Sequence, residues 1–203
     1  MVATGLSNEM GVVSEGNANA RTARIFVALR IIPEIARELA RFGDGLEQWS
    51  VRPVPFANIH LTLVPPWNEV SIPGAIHKLR RVADLFAPFT LSFCHIGYGP
   101  EPRRPRFLWA ECLASKEIAD LRAALILQFG QTDERPFRPH VTLARLRDKG
   151  RMIARKHPVD RELAFVQCVN SIELMQSPPP GGNGYTVLAS LPLGTGRDST
   201  AGA

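Results

Sequence analysis

Two tetrapeptides eighty positions apart, His60-Leu61-Thr62-Leu63 and His140-Val141-Thr142-Leu143, constrain this chain more than any other feature. Each alternates polar and apolar residues, the period of a strand with one buried and one open face. His and Thr then share the open face, while Leu61, Leu63, Val141 and Leu143 point into a core. Each run also follows a proline-bearing segment with an aromatic residue, Pro53, Pro55 and Phe56 before the first and Pro136, Phe137 and Pro139 before the second. One such strand is most simply a half-buried β-segment with threonine as a β-former. Two with the same lead-in point to paired use.

The elements around them fall in a regular order. The apolar run Arg24–Leu29 reads as a strand, and Pro33 opens a helix to Phe42 with Gly43 as its stop. Trp49–Asn58 reads as an extended connection into the strand Ile59–Val64, closed by Pro65 and Pro66. A helix follows from Pro73, then strands Phe89–Tyr98 and Arg106–Leu113 as a hairpin with a long Pro/Gly tip. Ser115 is the expected N-cap of a helix to Phe129, ended by Gly130. After His140–Leu146, the charged stretch 147–161 reads as a solvated loop or short helix. Leu163–Met175 is the longest strand candidate, and Tyr185–Leu191 closes the fold after the SPPPGGNG loop.

About seven strands and three helices with short connections predict an α+β fold of mostly antiparallel sheet, with the helices outside. Each half repeats a strand, a helix and a proline-bearing entry to a His-x-Thr strand. That echo predicts two lobes about a pseudo-two-fold axis, with the two His/Thr faces opposite one another across a central cleft. One such domain is expected over 23–192, with polar tails at 1–22 and 193–203.

Composition limits the alternatives. Apolar residues at 45% and charged residues at 21% suit a globular chain. Of 24 basic residues, only Lys78, Lys116, Lys149 and Lys156 are lysines; the remaining arginines suit bidentate phosphate recognition or reflect a GC-rich genome. Cys94, Cys112 and Cys168 are too few and scattered for a disulfide framework, and their apolar surroundings predict buried, reduced thiols. Neither a signal peptide nor an 18-residue apolar run is present, so a cytoplasmic, monomeric protein without membrane contact is expected.

HExxH, GxSxG, Walker A and GxGxxG patterns are absent, and His95 and His157 lack a carboxylate or cysteine at ligand spacing. Two facing histidines suit in-line chemistry at phosphorus, one imidazole taking a proton and the other giving one. Threonine hydroxyls would hold the phosphoryl oxygens where charge builds, with no metal or other cofactor.

At these residues the chain resembles the two-histidine phosphoesterase superfamily, specifically its LigT-like RNA 2′,3′-cyclic phosphodiesterases, historically called 2′-5′ RNA ligases. The resemblance spans residues 24–191 through RIFVAL, NIHLTLV, PRFLWAE, RPFRPHVTLAR and SIELMQS followed by Tyr185. It implies that His60 and His140 are catalytic, that Thr62 and Thr142 bind phosphate, and that Arg145 is a further phosphate or substrate contact. His140 would activate water and His60 would protonate the departing 3′ oxygen, leaving a 2′-phosphate. The implied partner is RNA with a 2′,3′-cyclic phosphate end. A small cyclic nucleotide, or non-catalytic RNA-end binding, is the alternative.

Phe26, Phe56 and Trp67 are candidate base-stacking residues. Arg103, Arg104, Arg106, Arg135 and Arg138 are candidates for a basic rim, and Tyr185 borders the site in the family pattern. Arg145 lies five residues past His140, so strict alternation sends it to the opposite face unless the strand twists, bulges or ends. Where many members carry Phe-Leu-Gly after HLTL, this chain has Val64-Pro65-Pro66-Trp67.

Overall fold

The opening apolar run forms β1 (Ala23–Arg30), in which Ile25, Val27 and Leu29 are fully buried against helices while Phe26 and Ala28 fill the other face. The computed structural model describes residues 22–194 apart from 45, 47, 48, 50 and 102. The expected tails therefore lie outside the described residues except at their inner ends. There Leu193 is buried and the Gly194 N–H donates to the Ala83 carbonyl, so packing continues past 192.

The chain continues through α1 (Pro33–Ala40), β2 (Val51–Pro53), β3 (His60–Glu69), α2 (Ile72–Ala83), β4 (Phe89–Gly99), β5 (Phe107–Cys112) and α3 (Lys116–Gln128). It ends with β6 (His140–Leu146), α4 (Gly150–Lys156), β7 (Arg161–Glu162), β8 (Val166–Val169), β9 (Ser171–Gln176) and β10 (Thr186–Pro192). All strand pairs are antiparallel, in the order β10-β9-β1-β3-β6-β5-β4-β7, with β2 beside β6 and β8 beside β4. This is the expected α+β class. The echo between halves is topological: β1-α1-β3 and β5-α3-β6 are both helix-bridged antiparallel pairs ending in a His-x-Thr strand. β3 and β6 meet at the seam, where Leu61 pairs with Val141.

Local chemistry explains the helices. Pro33 stands at the first turn of α1, and the Ser71 Oγ accepts from the Gly74 N–H to cap α2. Ser115 makes no such bond at α3. The stretch 147–161 contains α4, anchored by the fully buried Ile153. Within the expected extended connection, Val51–Pro53 pairs with β6 and Phe56–Asn58 forms a 3-10 turn.

Three expectations are corrected. β3 does not close at Pro65 and Pro66 but runs through them to Glu69. Past Leu61 its second edge has no ladder partner among the described residues, so prolines remove no hydrogen bond there. The strand expected over Leu163–Met175 divides at Asn170, because β8 pairs with β4 whereas β9 pairs with β1 and β10. Among the cysteines, all free, Cys112 is buried and Cys94 half-buried, but Cys168 is exposed on the outward face of β8.

A buried amide crosses between the halves. Gln167 of β8 is 5% exposed; its Oε1 accepts from the Ile32 N–H at 3.1 Å and its Nε2 donates to the Arg30 carbonyl at 3.0 Å. Gln167→Leu removes both part-buried hydrogen bonds, each worth about 0.5–1.5 kcal/mol. The expected loss is about 2 kcal/mol by urea denaturation; a loss below about 0.5 kcal/mol would show that water substitutes for the amide.

Candidate active site

The seam between β3 and β6 builds the site. Leu61 and Val141 are paired and fully buried, so their chain neighbours His60, Thr62, His140 and Thr142 stand on the opposite face. Continuing that antiparallel register sets His60 beside Thr142 and Thr62 beside His140. The histidines are then diagonal neighbours, roughly 7 Å apart, which leaves room for a phosphate between them. Each ring is fixed in the same way. The Nδ1–H of His60 donates to the Asn58 carbonyl at 2.7 Å, and that of His140 to the Arg138 carbonyl at 2.7 Å. A carbonyl only accepts, so Nδ1 carries the proton in both and Nε2 is left for chemistry.

Both strands bulge just past the threonine. The β1–β3 register steps from Ala28↔Thr62 to Val27↔Val64, and the β5–β6 register from Trp109↔Thr142 to Leu108↔Ala144. On β6, Leu143 and Ala144 are consecutively buried, and Arg145 returns to the side of the histidines. This resolves the alternation problem. On β3 a second irregularity, across Pro65 and Pro66, turns Trp67 the other way.

Aromatic rings support the imidazoles. Phe26 lies 5.0 Å from His60 and Tyr185 meets it edge-on at 5.0 Å, while Trp109 lies 4.3 Å from His140. Burial pushes both imidazoles below the ordinary histidine range, opposed in each by the Nδ1–H bond. Their charged neighbours differ. Arg145 and His140 lower His60 further, whereas at His140 the carboxylate of Glu111, directly across the ladder, draws the ring upward against the lowering pull of Arg138 and Arg135. Glu111 is held by Arg138 at 2.6 Å, and the Arg138 guanidinium lies 5.1 Å from the Trp109 ring centre.

A cavity of about 620 Å³ opens beside the seam, lined by Phe26, His60, Thr62 and Arg145 of the expected set, together with Tyr185 and the 177–184 loop. His140 and Thr142 share the sheet face but not this wall. A second cavity of about 210 Å³ adjoins it at His60, Asn58 and Tyr185, with Phe56 on its wall. Phe56 is 44% exposed. Two stacking candidates are corrected. Phe26 is 1% exposed and lies beneath His60, and Trp67 packs on Phe129 at the end of α3, 4.8 Å away on the helix side. Of the rim candidates, Arg138 reaches the site, Arg135 is tied to Asp133, and Arg103 and Arg104 stand on the hairpin tip. His95 does find a carboxylate, Asp160 at 2.6 Å, but among the described residues no group of three or more His, Cys, Asp or Glu side chains is placed to hold a metal.

Sequence reasoning missed Arg24 and Arg52 on the larger cavity, and Trp109 and Glu111 behind His140. For Arg24 the signal was present, since it alternates with Phe26 on β1. Trp109 and Glu111 become visible only through the β5–β6 register.

Comparison with known proteins gives the family. A profile of the 2′-5′ RNA ligase superfamily matches residues 31–174. The RNA 2′,3′-cyclic phosphodiesterase of Aeropyrum pernix is 32% identical over 151 residues, covering 68% of this chain and 85% of that protein. The Geobacillus stearothermophilus protein of the same name is 31% identical over 137 residues, covering 62% of this chain but only 42% of its own length. Among solved structures, TT0787 of Thermus thermophilus superposes with a TM-score of 0.68 at 25% identity, over 84% of this chain and 97% of that one. E. coli LigT complexed with ATP gives 0.63 at 26%, over 86% and 99%. The chain belongs to the 2′-5′ RNA ligase superfamily.

Proposed function

We propose that this protein hydrolyses the 2′,3′-cyclic phosphate end of RNA to a 2′-phosphate, with His60 and His140 as a general acid–base pair. The observation that carries the reading is the diagonal pair of imidazoles on the β3–β6 face, each with Nδ1 tied to a carbonyl and Nε2 free. Water attacks phosphorus in line with the P–O3′ bond and gives its proton to His140. The P–O3′ bond breaks, O3′ takes a proton from His60, and the phosphate stays on O2′. Thr62, Thr142 and Arg145 hold the non-bridging oxygens as charge builds. If an RNA 5′-hydroxyl replaces water, the same steps give a 2′-5′ linkage. The terminal base enters the smaller cavity, against Phe56.

The charges around the pair suit these roles. Glu111 makes His140 a stronger base, and Arg145 makes the His60 proton easier to give up. An oligonucleotide ending in 2′,3′-cyclic phosphate, assayed with and without EDTA, tests the reading. Conversion to the 2′-phosphate in both conditions supports it. Loss in EDTA points to a metal, and binding without turnover to an RNA-end-binding module.

The pH dependence follows from the same charges. One histidine must be neutral and the other protonated, and both lie below the usual range near 6.5. The optimum is therefore expected on the acid side of that value, falling on both flanks. Glu111→Gln removes the carboxylate that raises His140, so the limb of the profile governed by His140 moves to lower pH while the other limb stays nearly fixed. A profile with neither limb moved would show that Glu111 does not tune the pair.

A further inference from the structure

Three guanidiniums, those of Arg24, Arg52 and Arg145, border the larger cavity, and no aspartate or glutamate lines it. Among the described residues none of the three is in a salt bridge. Arg52 and Arg145 are direct cross-strand partners in the β2–β6 ladder, an arrangement of like charges that disfavours the folded state. Neutral groups hold both in place: Arg52 donates to the Asn183 Oδ1 at 3.2 Å, and Arg145 lies over the Phe107 ring at 5.8 Å. Arg24 enters from β1, on the face that carries Phe26. Repelling cations fixed at a cavity wall without a carboxylate form an anion site.

The charge exceeds what the reacting group requires. A 2′,3′-cyclic phosphate is a diester with a single negative charge, and His60, Thr62 and Arg145 already face it. A cavity of about 620 Å³ also exceeds what one phosphate fills. An RNA strand supplies one further charge per nucleotide, at regular spacing.

We infer that Arg24 and Arg52 bind backbone phosphates upstream of the reacting one, so that the preferred substrate is an oligoribonucleotide end and not a cyclic mononucleotide. This rests on the phosphodiesterase reading above. Such contacts strengthen binding of the strand without touching the reacting phosphorus, and each makes affinity more salt-dependent.

The test compares wild type with Arg24→Ala, Arg52→Ala and Arg52→Lys on an octanucleotide ending in 2′,3′-cyclic phosphate and on 2′,3′-cyclic CMP, at two salt concentrations. Each alanine variant is expected to raise KM for the octanucleotide about tenfold at low salt with kcat held. It should also reduce the slope of log affinity against log salt by about 0.7. Turnover of cyclic CMP should change less than about twofold, and Arg52→Lys should recover most of the slope. Equal losses on both substrates would place these arginines at the reacting phosphate or in the fold, and no loss on either would remove them from the substrate; both results overturn the inference. If wild type turns over neither substrate, the phosphodiesterase reading fails. Fluorescence anisotropy of a labelled octanucleotide with a 3′-phosphate then decides the phosphate track alone: weaker binding in the alanine variants supports it, unchanged binding overturns it.

Discussion

Replacement of His60 or His140 by alanine is expected to lower turnover of a cyclic phosphate end by two to four orders of magnitude each, the range of one positioned proton-transfer group. The fall should lie in kcat, because the groups proposed to hold the phosphate, Thr62, Thr142 and Arg145, are unchanged in either variant. The double variant should be scarcely worse than the singles, since a proton taken by one histidine and given by the other is a joint function. Packing needs its own control. His60 fills space between Phe26 and Tyr185, and His140 lies against Trp109, so alanine leaves a gap at either site. His60→Gln and His140→Gln keep most of the volume and remove the titration near neutral pH. Single-turnover rates with all four variants check the prediction. More than about a tenth of wild-type kcat in any variant that melts like wild type would remove that histidine from the proton transfers.

The class of fold and the convergence of the two histidine strands were legible because alternation at HLTL and HVTL is undisturbed up to the last leucine of each, but their place side by side on one sheet face, and not opposite one another across a cleft, was not. Beyond those leucines the pattern misleads. A bulge adds one residue to one strand, and no side chain announces it, so Arg145 reads as facing away although it lines the cavity. On β3 the two prolines read as a stop, yet the strand continues because its second edge has no ladder partner there among the described residues. Trp67 and Phe26 attracted attention as aromatic residues near the motif, but their roles depend on face and depth. Strand register sends Trp67 to the helix side, and Phe26 disappears beneath His60. Glu111 and Gln167 act across strands distant in sequence, so only the assembled sheet shows what they touch.

That dependence on assembly carries the second large expectation, at the seam. β3 and β6 pair at Leu61↔Val141, both fully buried, and the distance between the two imidazoles hangs on that contact. Leu61→Ala removes a branched side chain from a filled core, a change that costs about 2–5 kcal/mol. That is a large share of the roughly 5–15 kcal/mol that keeps a domain folded. Stability alone does not distinguish the seam from any other core position. Leu125, on α3, is equally buried and lies on a helix away from the site face, so Leu125→Ala should cost a similar amount. The two should part in activity. At a temperature where both variants remain folded, Leu61→Ala is expected to lower kcat by about tenfold or more, because a shift near 1 Å between reacting groups is worth about a hundredfold. Leu125→Ala should keep kcat within about twofold. If both variants lose stability equally and neither loses kcat, the histidines are positioned by their own carbonyl bonds to Asn58 and Arg138 and not by the seam.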